Sequence, residues 1–482
     1  MNWRIIGQMT GVLIAALGCS MALPLVWSLI CADGSSRAFA LSMALCGVVG
    51  GLLFFPLRKP LGEGFSQKEG MAIVGLGWMA VGLFGAFPFF FSGFFWGFTD
   101  AVFESVSGFT TTGASVLEDI ESLPQGLLLW RSQIQWIGGM GIILFSIAIL
   151  PFLGVGGMQL YKAEVPSPVP DKLKPRIQET AKILWKVYLF FSLLLFFLLL
   201  AGGMGGFDSL CHTFTTMPTG GFSTKNLSIA HFDSLYIEVV IMAFMVLAGI
   251  NFTLHFQFLR RGGFSYFNDA ECRFFLVLLL AIMVGVFWIL WGATYESPGE
   301  SLRYGAFQVI SIVTTTGFAT ADYVLWAPAA QLILLFAMFT GACAGSTSGG
   351  MKTVRLMICG KYGYKELFFL VHPRAVREVK LGGRVVPGGV IHGVLGFMAL
   401  YLGVYVAGSL LLAAQGTDAV TALTAAASAL GNVGPGFGGV GPAENYAGIP
   451  QAGKWVLSWL MLMGRLEIYT LIIFLVPEFW RN

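Results

Sequence analysis

Long apolar stretches alternate with short polar ones along the whole chain. Nine runs contain no Asp, Glu, Lys or Arg: Ile5–Ile30, Ala38–Leu57, Gly70–Thr99, Ser132–Tyr161, Val187–Phe207, Val239–Leu259, Phe274–Tyr295, Tyr323–Met351 and Val385–Thr417. Each reaches the roughly 20 residues that an α-helix needs to cross the hydrocarbon of a bilayer. A tenth, Trp455–Pro477, is apolar apart from Arg465 and Glu467. The pattern predicts an all-α polytopic membrane protein with ten crossings. The first run is too long for a signal peptide and another follows closely, so it reads as a retained helix.

A second period lies over the first. After an N-terminal helix pair, each outward crossing is followed by a long outer segment, at about 93–130, 204–235, 293–328 and 415–454. Long loops are commonly functional or disordered, and these are too apolar for disorder. Each holds a short helical stretch, AVFESVSGF, SLCHTF, YGAFQVISIV or AVTALTAAASAL. Each stretch runs into small polar and glycine residues: TTTGAS, TTMPTGGFST, TTTGFAT and GNVGPGFGG. The tetrapeptide at Thr110–Gly113 recurs at Thr314–Gly317, and counting back from the glycine pairs Phe103 with Phe307 and Ser107 with Ser311. Asp100 and Asp208 stand equally far before Gly113 and Gly221, where each half-helix is expected to take its N-cap. The unit is therefore helix, half-helix, turn, helix, four times over. The expected division is a helix pair at 1–68 and repeats at 69–161, 162–262, 263–384 and 385–482.

Composition agrees: 56% of residues are hydrophobic and 11% charged, against about a quarter charged in soluble proteins. The net charge of +3 matters less than its distribution. With both termini cytoplasmic, inner segments hold 22 of the 28 Lys and Arg, as the positive-inside rule requires. Outer segments and helix edges keep Arg37, Arg131, Lys225, Arg303 and Lys454 against 14 acids, among them Asp100, Glu104, Asp208 and Glu238. These acids serve as caps and solvated loop residues, and summed they draw cations to the outer face. Seven scattered cysteines without a CxxC pair and five unpaired histidines offer neither a disulfide framework nor a metal centre. No Ser/His or His/Asp set lies in the helices, so no enzyme is expected. Neither an organic cofactor nor a nucleic-acid partner is expected.

Irregular backbone at membrane depth is tolerated only where it is buried or lines a water-filled path. Thr/Gly turns expose carbonyl oxygens, and four turns about one axis make rings that can replace an ion's hydration shell. The half-helices direct their partly negative C-terminal ends inward, which favours a cation.

These four signatures resemble the Trk/Ktr/HKT superfamily of potassium transporters, and within it the TrkH/TrkG-like membrane subunit of Trk systems. The resemblance covers essentially the whole chain. It implies four M1–P-loop–M2 repeats around a pseudo-fourfold pore, with the N-terminal pair outside them. Carried over by position, it implies a filter of Thr111-Thr112-Gly113, Thr219-Gly220-Gly221, Thr315-Thr316-Gly317 and Asn432-Val433-Gly434. Gly113 at the family's critical position favours potassium over sodium. The fourth loop departs from the Thr/Gly pattern.

Within the third repeat, FTGACAGSTSGGMK cannot hold a continuous helix on propensity. Gly345, Ser346, Thr347, Ser348, Gly349 and Gly350 are read as a flexible loop beneath the filter, where the family has a gate; the alternative is close packing through small residues. Arg465 sits inside an apolar helix, where a charge marks a pathway or a pair. The resemblance implies that it projects into the pore below the filter; the alternative is a structural pair. Glu467 projects from a different face.

The resemblance further implies potassium uptake across a bacterial inner membrane, a homodimer in the lipid bilayer, and regulation by a cytosolic TrkA-like RCK ring that binds nucleotide. The basic inner segment Lys352–Arg384 is a docking surface for that ring or serves topology alone. The transported ion is the only expected ligand. The rival reading is a secondary transporter coupling potassium to protons or sodium, which would need intramembrane carboxylates.

Overall fold

The computed structural model describes residues 1–56, 66–148, 173–262 and 265–481, and these fold almost wholly into helices. The one sheet among them is a two-strand ribbon, Lys380–Leu381 antiparallel to Arg384–Val385. Arg58, Lys59, Lys162, Lys172 and the end of the predicted run Ser132–Tyr161 fall outside the described residues.

Six segments are long and apolar enough to cross a membrane: Trp3–Cys31, Ser36–Phe54, Lys68–Ser92, Glu179–Ala201, Ala270–Leu290 and Gly388–Ala413. Two bent pairs pass the same test together, Leu235–Gly249 with Phe252–Arg260 at 102° and Gln451–Arg465 with Tyr469–Leu475 at 116°. The predicted run from Ser132 begins inside the continuous helix Gln125–Ala148, which carries Arg131. The predicted run Tyr323–Met351 is split, with Pro328–Thr340 and Thr353–Val371 on either side of non-helical residues 341–352. Three of the four inward crossings are therefore interrupted, although hydropathy predicts a break only in the third. Asn251 caps the resumed helix of the second by accepting from Thr253 N, and Glu467 and Ile468 take φ of +60° and +54° in the fourth.

The N-terminal pair docks through small residues. A methyl on Gly11 would lie 2.9 Å from Gly50 O, and one on Gly18 would lie 2.8 Å from Cys46 Cβ, so the two helices approach backbone to backbone. One apolar core joins this pair to repeats one and four, through Phe39, Phe103, Trp130, Ala425 and Leu457. A second joins repeats two and three, through Leu195, Ile241, Phe275, Phe307 and Leu334. The first and fourth half-helices belong to the one core and the third to the other.

Those half-helices are Phe98–Phe109, Gly206–Thr216, Pro298–Val313 and Ala419–Gly431. Each predicted half-helix is present, and the first three begin earlier than the patterning suggests. Asp100 and Asp208 are accordingly not the N-caps. Gly97 and Gly205 take that place, and the two carboxylates sit in the first turn, where the helix dipole still favours them. Asp100 pairs with Lys454 at 2.7 Å, and Asp208 accepts from Thr224 Oγ1 at 2.6 Å. The third and fourth half-helices are capped by side chains: Ser297 accepts from Gly299 N and Asp418 from Thr421 N.

Candidate ion-conducting site

All four half-helices end in the same way. The N–H of Thr112 bonds Ser107 O at 2.9 Å and that of Thr111 bonds Gly108 O at 3.0 Å. The same two bonds recur from Gly220 and Thr219, from Thr316 and Thr315, and from Val433 and Asn432. This six-to-one plus five-to-two pattern is a Schellman motif, whose turning residue must adopt the left-handed conformation. Thr111, Thr219, Thr315 and Asn432 do so, at φ +53°, +57°, +57° and +53°. A β-branched residue there is strained by an order of 1–3 kcal/mol, a cost that concentrates at functional sites. Asn tolerates the conformation best after glycine, which explains why Asn432 can stand where the other loops have threonine.

Two residues later Gly113, Gly221, Gly317 and Gly434 again have positive φ, between +77° and +108°. Left-handed residues alternating with others can present successive carbonyls on one side, unlike a regular pleated strand. The four segments also close on one another. A methyl on Gly113 would strike Gly220 O, one on Gly221 would strike Thr316 O, and one on Gly317 would strike Val433 O. A methyl on Gly434 would lie 2.7 Å from Thr112 O, which completes the circuit. Each loop's third residue thus touches the next loop's middle carbonyl, in chain order, and the fourth touches the first. The twelve residues named from the sequence are brought together into one ring.

Several side chains behind the ring are buried and bonded, while Thr111 Oγ1 and Asn432 Oδ1 are buried without a protein partner among the described residues. Thr110 Oγ1 meets Thr112 Oγ1 at 2.7 Å, and Thr314 Oγ1 meets Thr316 Oγ1 at 2.8 Å. Asn432 Nδ2 reaches across repeats to Thr112 Oγ1 at 3.0 Å and also bonds Met461 O at 2.9 Å. Gln135 bonds Gly220 O at 2.7 Å and accepts from Phe222 N at 3.2 Å. Sequence reading missed Gln135; its one signal is a polar residue within an apolar helix, Q-I-Q-W-I-G-G.

The glycine-rich segment lies directly against the inner side of this ring. Gly349 N donates to Thr315 Oγ1 at 2.7 Å, Gly350 N to Gly431 O at 2.9 Å, and Thr347 Oγ1 to Met217 O at 3.0 Å. Gly341, Gly345 and Gly350 adopt φ of +64° to +73°. Ser346 and Ser348 are buried, with their hydroxyls 3.4 Å apart. Arg465, 2% exposed, donates to Thr347 O at 2.6 Å and to Gly138 O at 3.4 Å. It therefore meets one carbonyl of the loop and one of the first repeat's helix Gln125–Ala148, and Glu467 pairs with Arg355 at the loop's far end. The helix break after Arg465 is what lets Glu467 turn to that partner. Glu271 accepts from Ala344 N at 2.7 Å, Thr353 Oγ1 at 3.0 Å and Val354 N at 3.2 Å, so one carboxylate holds both ends of the loop.

The outer face corrects part of the charge reading. Arg131 is not a helix-edge residue; it is buried in Gln125–Ala148 and pairs with Glu104 at 2.8 Å. Glu238 pairs with Arg303 at 2.7 Å and is 2% exposed along its side chain. Glu238 thus ties the second repeat to the third, Glu104 pairs within the first, and neither faces open solution, because a buried carboxylate needs a partner. Asp418 is exposed at the start of the fourth half-helix, and hydrogen bonds from Thr421 hold its carboxyl below the usual carboxylate value. Among the described residues no group of His, Cys, Asp and Glu could hold a metal ion in a cluster.

Four buried half-helices ending in one closed ring, inside a polytopic helical chain, define a pore-loop membrane protein. The chain belongs to the TrkH family, described as cation transport protein, whose pattern matches residues 35–481. It is 41% identical to the Trk system potassium uptake protein TrkH of Salmonella typhimurium and to that of Escherichia coli, over all of each chain. It is 35% identical to the Trk system potassium uptake protein TrkG of Escherichia coli over 99% of both. The crystal structure of the potassium transporter TrkH from Vibrio parahaemolyticus superimposes with a TM-score of 0.92 at 38% identity, each chain covered completely. The fold is accordingly the four-repeat arrangement expected from the sequence.

Proposed function

We propose that this chain takes up potassium as the conducting membrane subunit of a Trk-type system. The observation that carries the reading is the closed circuit of third-position glycines against middle-position carbonyls, Gly113 to Gly220, Gly221 to Thr316, Gly317 to Val433 and Gly434 to Thr112. Potassium sheds water at this ring, where the dipoles of four half-helices favour a cation. Residues 345–350 are the gate and Arg465 is its latch: the segment underlies loops two, three and four, and the guanidinium holds it through Thr347 O. The remaining parts of the reading are a bacterial inner membrane, cytoplasmic termini, a homodimer, and a cytosolic TrkA-like nucleotide-binding regulator docking near Lys352–Arg384.

Coupling to protons would need a free carboxylate in the path. Glu104, Glu238 and Glu467 are each paired with an arginine, which speaks for conduction over the coupled alternative; Glu271 accepts from three donors, all on Oε1. Rubidium flux into proteoliposomes, with potassium and sodium competing, tests the proposal. Potassium should suppress the flux and sodium should not, and the reversal potential should follow the potassium gradient alone. Equal competition by sodium would sink it.

A further inference from the structure

The ring's second loop lacks something the other three have. Its middle position is Gly220, where the others carry the side chains of Thr112, Thr316 and Val433. Backbone conformation does not demand glycine there, because positive φ is confined to its neighbours Thr219 and Gly221. The demand is steric and comes from one residue. A methyl on Gly220 would collide with Cδ and Oε1 of Gln135 and lie 2.9 Å from its Nε2. Gln135 belongs to the inward helix of the first repeat and is fully buried. Its amide donates to Gly220 O and accepts from Phe222 N, so it grips the segment on both sides of Gly221.

We infer that Gln135 is a specificity-determining positioning residue for the filter: a side chain lent by the first repeat fills the empty middle position of the second loop and sets its carbonyl. The inference rests on the filter reading of the ring. Asn432 makes the complementary tie at the seam between the fourth and first repeats, donating to Thr112 Oγ1. Two of the four loops are thus held by an amide from, or to, a neighbouring repeat. A buried carbonyl and N–H that lose their shared partner keep the full desolvation penalty, and the loop relaxes to recover it. Relaxation changes the spacing of oxygens on which ion choice depends.

The test is a swap. Gln135→Met keeps bulk and removes both bonds. Gly220→Ser puts a side chain where Gln135 already is. The double variant Gln135→Ala with Gly220→Ser refills the position from the loop itself. The readout is the ratio of potassium to sodium competition in rubidium flux, per folded molecule by size exclusion. Each single variant should lower the ratio about three- to tenfold, the scale of one hydrogen bond's net contribution. The double variant should regain most of it. A wild-type ratio in folded Gln135→Met would overturn the inference, as would a double variant no better than the worse single. If Gln135→Met does not fold, the double variant decides on the same ratio. Gly113→Ser is run alongside. If it shifts the ratio while the Gln135 variants do not, only this inference falls; if it leaves the ratio unchanged, the filter reading falls first.

Discussion

A glycine at the third position of each filter segment has two reasons to be there, and they act together. Positive φ alone would disfavour a side chain, and the neighbouring carbonyl forbids one outright. Gly113→Ser should therefore relax the preference for potassium by displacing Gly220 O, without disturbing the outward and inward helices. Competition flux on folded protein checks this, and an unchanged ratio would remove Gly113 from the filter. Arg465 is the other residue with a sharp expectation. A charge below a cation path repels the ion by roughly 4 kcal/mol at 4 Å and an effective dielectric of about 20, and the same guanidinium holds the loop through Thr347 O. Both effects predict that Arg465→Gln raises flux, by roughly tenfold if a third of that repulsion operates. A purely structural role predicts loss of folded protein instead, which size exclusion would register.

At the scale of the element, the interrupted third inward helix is the unit that can move. Residues 341–352 are held at both ends by Glu271, in the middle by Thr315, Gly431 and Arg465, and at the exit by the Arg355–Glu467 pair. Most of these bonds are side chain to backbone, so they can be released one at a time without unfolding a helix. Glu271→Gln keeps the size of the anchor but turns its charge-assisted hydrogen bonds on Oε1 into weaker neutral ones. It should raise flux measured without any cytosolic partner and speed amide exchange across 341–354. Slow exchange at the wild-type level, with unchanged flux, would show that the anchor does not restrain the loop. The break in the fourth inward helix lets it deliver Arg465 to Thr347 O and Glu467 to Arg355 just past this loop.

For the molecule as a whole, ion pairs stitch repeat to repeat outside the ring. Lys454 of the fourth meets Asp100 of the first, and Glu238 of the second meets Arg303 of the third. Arg131 of the first pairs with Glu104 and also donates to Ser223 O of the second at 3.0 Å. Removing one member of a buried pair leaves the other charge uncompensated, at a cost of about 3–5 kcal/mol. Glu104→Gln should thus lower the thermal midpoint of the detergent-solubilised protein strongly, and Glu104→Gln with Arg131→Met should recover much of the loss. A single variant as stable as wild type would show that the pair does not join the repeats.

Apolar run length was enough to read a multi-pass helical membrane protein, because lipid imposes long apolar helices on any such chain. Four recurring half-helices with Thr/Gly ends were legible for the same reason: backbone that leaves the helix at membrane depth must be paid for by small residues and repeats visibly. Phe103 and Phe307, and Ser107 and Ser311, do occupy matching buried places. What the sequence alone could not decide was which groups meet across repeats. Asp100 looked like a cap and is a partner of Lys454; Arg131 and Glu104 looked like outer charges and are buried together. Gln135 gave no sign of standing in for a missing side chain, and only the fold brings it against Gly220. Local patterns record the solvent each residue faces and the conformations its own backbone allows. Pairings between residues 27 or more positions apart, and the closure of four loops into one circuit, depend on how the helices and repeats pack, and only the tertiary structure settles them.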